Sequence, residues 1–224
     1  MPVEVELKLT ATTDAPLLKL QTAERLGPAE LGPPQTADEL DRYLDTADGR
    51  FAAARWACRL RRRGERTIVS LKGPAEQPTG DARGSGVADR NGALHRRPEV
   101  EGPASDDLDP RWWPGSAGRD FVDRLRAGEP LVERLALRQQ RTERAVLVDG
   151  ERLATLSLDR VTVVHGEQEL GKLHVVELEL APGAAERRLD EVAAALTAID
   201  GLVPDPATKL ERALALLERT ASSR

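Results

Sequence analysis

One alternating pattern, repeated near the two ends of the chain, limits what this sequence can fold into. Glu4-x-Glu6-x-Lys8 is interleaved with Val3, Val5, Leu7 and Leu9, and Glu177-x-Glu179 is interleaved with Val176, Leu178 and Leu180. Period-two alternation reads as a β-strand with one apolar and one charged face. If the two strands lie side by side, four carboxylates share one surface. At about 5 Å and an effective dielectric of about 20, each like-charged contact costs roughly 3 kcal/mol. Divalent cations or basic groups must therefore neutralise the cluster.

Composition narrows the class. With 224 residues, 32% charged and 40% apolar, the chain fits a single soluble globular domain over 1–224. A net charge of −5 argues against a duplex nucleic-acid binder that works by bulk electrostatics. The start, Met1-Pro2-Val3-Glu4, has neither the basic nor the apolar region of a signal peptide, and no apolar run reaches membrane-spanning length. Cys58 is alone, so no intrachain disulfide can form. A cytoplasmic protein, binding neither nucleic acid nor membrane, is the expectation.

The same periodicities predict eight strands. These fall near 2–10, 38–46, 56–61, 67–72, 94–101, 131–149, 152–165 and 170–181, with Arg63-Gly64-Glu65 and Asp149-Gly150 as hairpin turns. Helices are expected over 13–27, around 48–54, at 119–127 and in a C-terminal segment of about 184–219. Residues 73–93, rich in Gly, Pro, Ala and Asp without periodicity, read as a loop, and so does 102–118. Eight sequential antiparallel strands suit a closed barrel, giving an α+β fold with flanking helices.

The expected polarity of this barrel is unusual. Charged positions recur on strand after strand, as in Arg59 with Arg61, Ser70 with Lys72, and Arg97 with Glu99 and Glu101. The helices meanwhile carry apolar stripes that need an apolar sheet face. Both requirements are met if the charged rows line an eight-stranded tunnel and the apolar rows pack on outer helices. Carboxylates on some walls suit Mg2+ or Mn2+, and guanidinium and ammonium groups on others suit phosphate oxygens. Phosphoryl transfer needs mainly positioning and electrostatics, so such a tunnel fits a metal-chelated polyphosphate.

These residues resemble a known family. Glu4-x-Glu6-x-Lys8 at the N-terminus is similar to the signature of the CYTH superfamily, the triphosphate tunnel metalloenzymes. Tyr43-Leu44-Asp45-Thr46, Arg59-Leu60-Arg61 with Leu71-Lys72, Arg97-x-Glu99-x-Glu101, and Lys209-Leu210-Glu211-Arg212 resemble its later motifs in order, across nearly the whole chain. The resemblance implies metal ligands at Glu4, Glu6, Glu177 and Glu179, assisted by Glu99, Glu101 and Asp159. It implies phosphate-binding or catalytic roles for Lys8, Arg59, Arg61 and Lys72, and substrate contacts from Arg97, Arg138, Arg141 and Lys209. Gln139 and Gln140 depart from it, standing where the family often has further basic residues.

The expected activity is metal-dependent hydrolysis of inorganic triphosphate or short polyphosphate to pyrophosphate and phosphate. Thiamine triphosphatase, class IV adenylate cyclase, a non-catalytic polyphosphate-binding module and a purely structural barrel remain as alternatives. A homodimer, and a helical polyphosphate-associated domain in a longer parent chain, are the protein partners considered. Since neighbours on a strand face opposite ways, Arg62 and Arg96 are expected to point outward. His95, His165 and His174 lack the spacing of a metal site. Trp112-Trp113 reads as a loop plug packed on the barrel, and Cys58 as a small apolar filler.

Overall fold

The computed structural model describes residues 2–75 and 93–222. In chain order the strands are β1 (Val3–Ala11), β2 (Arg25–Leu26), β3 (Ala29–Leu31), β4 (Gln35–Thr46), β5 (Ala57–Arg63), β6 (Arg66–Lys72), β7 (Leu94–Ala104), β8 (Leu131–Val148), β9 (Glu151–His165), β10 (Gln168–Leu180) and β11 (Leu202–Pro204). The helices are α1 (Ala15–Thr22), α2 (Arg50–Ala53), α3 (Ala117–Arg126), α4 (Leu189–Thr197) and α5 (Lys209–Ser222). Eight antiparallel strands run in the order β8-β4-β5-β6-β7-β1-β10-β9, and a β8–β9 pairing closes the barrel. The end-to-end pairing expected from the acid motifs is present, with Glu6 opposite Glu179 and Lys8 opposite Glu177.

The long strands lie where period-two alternation places them, and the differences have physical causes. Strands β2, β3 and β11 have two or three residues each, too few for a period to show; β2 and β3 extend the sheet beside β8, and β11 pairs with β1. The helix expected over 13–27 stops at Thr22, because Arg25–Leu31 turns back as the β2–β3 hairpin. The C-terminal segment divides into α4 and α5, with β11 between them. Residues 102–104 continue β7. The expected loop over 73–93 lies largely outside the described residues. No helix among the described residues is long and apolar enough to cross a membrane.

Two outer apolar layers follow from the alternation. Leu7, Leu9, Leu156, Leu158, Val176 and Leu178 turn outward beneath Leu17 and Leu20 of α1 and Val192 and Leu196 of α4. Leu44, Cys58, Leu60, Val69 and Leu71 face Phe51 of α2, Val122 of α3 and Trp113. The tryptophan pair is therefore split: Trp113 is 2% exposed and its Nε1 donates to the Asp107 carbonyl at 2.8 Å, whereas Trp112 is 70% exposed. Helix α3 comes so close to β7 that a Cβ on Gly102 would stand 2.2 Å from the Ser116 hydroxyl, which caps that helix.

Helix α5 departs from the expected arrangement. Its Leu210, Ala213 and Leu214 pack on Tyr43, Leu135, Leu137, Val161 and Val163. Counting by twos, Leu135 and Leu137 lie on the same face of β8 as Arg141, and Val161 and Val163 on the same face of β9 as Asp159. The inner rows thus change from charged to apolar along these two strands. Helix α5 covers the apolar end, so the charged interior opens at the opposite end, where β1 begins and β10 finishes.

One buried cation ties the first helix to the barrel. The Arg144 guanidinium donates to the carbonyls of Leu20 (2.8 Å), Gln21 (3.2 Å), Ala23 (2.5 Å), Leu31 (3.0 Å) and Gly32 (2.7 Å). It satisfies the orphan carbonyls at the end of α1, where the helix dipole favours positive charge. Arg144→Met should strand those carbonyls, destabilising the protein by about 3 kcal/mol and lowering the melting midpoint by roughly 10 °C. Arg144→Lys should recover only part of this, because one ammonium cannot span so many acceptors. An unchanged melting curve for Arg144→Met would refute the role.

Candidate active site

The inner rows enclose a cavity of about 390 Å³. Glu4, Glu6, Lys8, Arg59, Arg61, Lys72, Arg97, Glu99, Glu101, Arg141, Glu177, Glu179 and Lys209 all line it. Asp159 lies just behind this wall, fully buried. Arg138 does not join them. It is exposed on the outer face of β8, three positions from the inward Arg141, in a shallow groove with Arg62, Gln140 and Arg160. A strand cannot turn both residues to one side. Arg62 and Arg96 point outward as expected; Arg96 pairs with Glu186 at the surface.

Near the covered end, carboxylates and cations form one network. Arg141 makes a two-pronged contact to Asp159 at 2.8 and 2.7 Å and reaches Glu177 at 2.9 Å. Lys209, in the first turn of α5, bonds the same Asp159 and lies 2.8 Å from Glu177. Asp159 and Glu177, expected among the metal ligands, are thus engaged by basic groups. On the adjoining wall Arg61 grips Asp41 through two bonds of 2.7 and 2.8 Å, and Arg59 adds a third at 3.1 Å. Gln139 donates to Glu39 at 2.7 Å, so the residue standing in place of a cation holds an acid instead.

Toward the opening two lysines and an arginine hold the acids, without a two-pronged guanidinium contact. Lys72 donates to both oxygens of Glu4 at 2.6 Å. Lys8 lies 2.8 Å from Glu6, which also receives Arg97 at 2.7 Å. Ser70 donates to Glu99 at 2.8 Å. The sequence reading missed several wall residues: Glu39, Asp41, Tyr43, Arg63, Arg66 and Glu143. The signal was present in the same alternation, since Glu39-x-Asp41-x-Tyr43 and Arg61-x-Arg63 continue inward rows already identified.

Ionisation follows from this division. Burial works against the Glu6 and Glu177 carboxylates, but the cations outweigh it: Lys72 and Lys8 for Glu6, Lys209 and Arg141 for Glu177. Both are held well below the usual carboxyl range. Asp41 behaves alike, with Arg59 and Arg61 overcoming burial. Glu4 goes the other way, because burial and the neighbouring Glu6 and Glu99 exceed the pull of Lys72. Glu179 is pushed up to about 7 by partial loss of hydration against the cavity walls and by Glu4. It has no hydrogen-bond partner among the described residues and stands at the exposed rim. His95 is driven down to about 4 by burial beside Lys8 and Arg97, so it stays neutral near pH 7.

Glu179 thus lacks a compensating cation, and Glu4 is raised in spite of Lys72, so a metal cation would relieve both. Together with Glu6 and Glu99 they offer hard oxygen donors, the chemistry that suits Mg2+ or Mn2+. Among the described residues no group of three or more acidic, histidine or cysteine side chains stands ready as a metal cage. That agrees with the habit of Mg2+, which takes one or two carboxylates and completes its shell with water and substrate phosphates. The donor set fits a cation that arrives with its phosphate ligand.

Comparison with known proteins agrees with this geometry. A family model of the CYTH domain matches residues 2–214. No curated protein sequence matches significantly. Among solved structures, HpAC1 from Hippeastrum, a candidate adenylyl cyclase described as having a dominant triphosphatase activity, superposes with a TM-score of 0.64 at 18% identity, covering 95% of both chains. A candidate adenylate cyclase from Bacillus halodurans gives 0.56 at 17% identity, covering 95% of this chain and 98% of its own. The PH1819 protein from Pyrococcus horikoshii gives 0.54 at 20%, covering 96% and 99%. At such identities these structures establish the fold, and the domain match establishes the kinship: this chain belongs to the CYTH family.

Proposed function

We propose that this protein hydrolyses inorganic triphosphate or short linear polyphosphate, in the presence of Mg2+ or Mn2+, releasing phosphate and pyrophosphate. The observation that carries the reading is the near balance of acidic and basic side chains lining one enclosed cavity. A triphosphate alone would bring several negative charges into a space most of whose cations are already paired. Divalent cations entering with it restore neutrality. Tyr43 is the sole aromatic among the described lining residues. A linear substrate therefore suits the cavity better than a nucleotide or thiamine ester, whose ring calls for a stacking surface. The triphosphatase activity described for HpAC1 points the same way.

The chain's residues divide the work. Arg59, Arg141 and Lys209, held in orientation by Asp41, Asp159 and Glu177, present fixed positive charge to phosphate oxygens with little reorganisation. Lys8 and Arg97 add charge beside Glu6. Lys72 exchanges Glu4 for a phosphate oxygen, freeing that carboxylate. Glu4, Glu6 and Glu179, assisted by Glu99 and Glu101, would then hold the cation. A divalent cation held there would supply positive charge to offset the negative charge that builds up on the phosphate oxygens during transfer. Water attacks in line, and no covalent enzyme intermediate is required.

Replacing Glu4 and Glu6 together by Gln should reduce phosphate release from tripolyphosphate by at least about a hundredfold, while the melting curve still shows a folded protein. Normal turnover by this variant would remove the metal assignment. In the wild type, tripolyphosphate with Mg2+ at a hundredfold excess over Kd should stabilise the fold by about 2.7 kcal/mol. No shift in melting midpoint under those conditions would count against any phosphate-chain ligand.

The pH dependence has a definite sign. A carboxyl titrating at about 7 must lose its proton before it can serve a cation. Metal affinity should therefore fall as pH drops below 7 and level off above about 8. Calorimetry of Mg2+ with tripolyphosphate, in buffers of different ionisation enthalpy, should show more proton release for the wild type than for Glu179→Gln at pH 6.5, a difference that fades by pH 9. Equal release by the two proteins at pH 6.5 would show that Glu179 takes no part.

A further inference from the structure

The inward row of β5 continues past Arg61 to Arg63, and Arg66 opens the inward row of β6; both line the cavity. They stand directly opposite each other across the β5–β6 hairpin. Gly64 makes the two-residue turn between them, at φ 59°. Like charges facing one another across strands destabilise a sheet. Arg63 is compensated, lying 2.8 Å from Glu143 and 3.4 Å from Glu39. Arg66 has no carboxylate partner among the described residues. The hairpin thus presents a solvent-exposed cation without an acidic partner, beside another of like charge, at the open end of the cavity.

Position along the strand says what these cations can reach. Four residues of extended chain separate Arg59 from Arg63, a distance of about 13 Å, which exceeds the span between the outer phosphorus atoms of a triphosphate. Arg63 shares Glu39 with Arg141, at 3.4 and 3.8 Å, so a triphosphate seated deepest, on Lys209 and Arg59, leaves Arg63 and Arg66 as the outermost cations. A longer linear chain entering end-on, with its terminal phosphate toward the end covered by α5, runs past Arg63 and Arg66, which stand side by side on one wall. Its phosphate oxygens recur along the chain and can engage successive guanidinium groups.

We infer that Arg63 and Arg66 set chain-length preference, by holding the phosphates of a linear polyphosphate that lie beyond the deep clamp. The inference rests on the phosphate-chain reading given above. It adds residues that the family motifs in this sequence do not include, and it assigns them to the part of the substrate remote from the covered end.

Calorimetric titration of the wild type and of Arg63→Gln/Arg66→Gln, with tripolyphosphate and with a longer linear polyphosphate, each in Mg2+, tests it. The double variant should bind the longer chain about tenfold more weakly while its affinity for tripolyphosphate changes less than about twofold. Arg62→Gln, on the same hairpin but facing outward, removes equal charge and should leave both affinities unchanged. Equal losses for both ligands, no loss for either, or an Arg62→Gln loss as large as the double variant's would each overturn the inference and leave the triphosphate reading standing. A wild type that binds neither ligand would sink both. Folding is checked with Arg66→Gln alone, which ends the like-charge opposition and should keep or raise the melting midpoint, with a smaller loss of the same selectivity.

Discussion

Asp159 accepts Arg141 and Lys209 at once, in a site closed to solvent, and the interior of the barrel depends on pairings of this kind. A carboxylate so placed is tolerable only while its cations stay beside it, because a buried charge left alone costs several kcal/mol. The converse also holds: Arg141 and Arg59 could not remain inside without Asp159, Glu177 and Asp41. Each cation is therefore fixed by an acid, and the fixing serves both the fold and a ligand. A guanidinium already stripped of water and locked in place meets an incoming phosphate with little further cost.

That constraint explains the layering. Every strand that turns a charge inward turns an apolar side chain outward, so the barrel needs helices on its outside to cover that surface. α1 and α4 cover one side, and α2 and α3 with Trp113 cover another. Helix α5 differs because the inner rows of β8 and β9 become apolar at one end. Its first residue, Lys209, reaches the buried acids while its later leucines pack on the barrel end. One helix both covers the cavity and contributes a cation to it. Away from that covered end, Glu179 on β10 and Arg66 on β6 each stand exposed without an ion-pair partner among the described residues.

Much of this was legible in the sequence, for a definite reason. Strand alternation has a period of two, so the facing of Glu4, Glu6, Lys8, Arg59, Arg61, Lys72, Glu177 and Glu179 follows from a few residues once one face is known. The same rule excludes Arg138, since an odd separation from Arg141 places the two on opposite sides; here the information was in the sequence and a motif-level reading passed over it. Asp41 and Glu39 were equally legible as a continuation of the β4 row. The short strands β2, β3 and β11 were not, because two or three residues carry no period.

The sequence by itself determined which residues share a face, and hence that a barrel built from these strands has charge on one side and apolar surface on the other. Only the tertiary structure decided which carboxylate meets which cation. Pairings such as Lys209 with Asp159, or Lys72 with Glu4, join segments 50 and 68 residues apart, and no local pattern encodes them. Packing also decided which acids are neutralised and which, like Glu179, are left in want of a cation. The physical reason is range: alternation is a property of neighbouring residues, whereas charge compensation depends on distances that exist only once the barrel has closed.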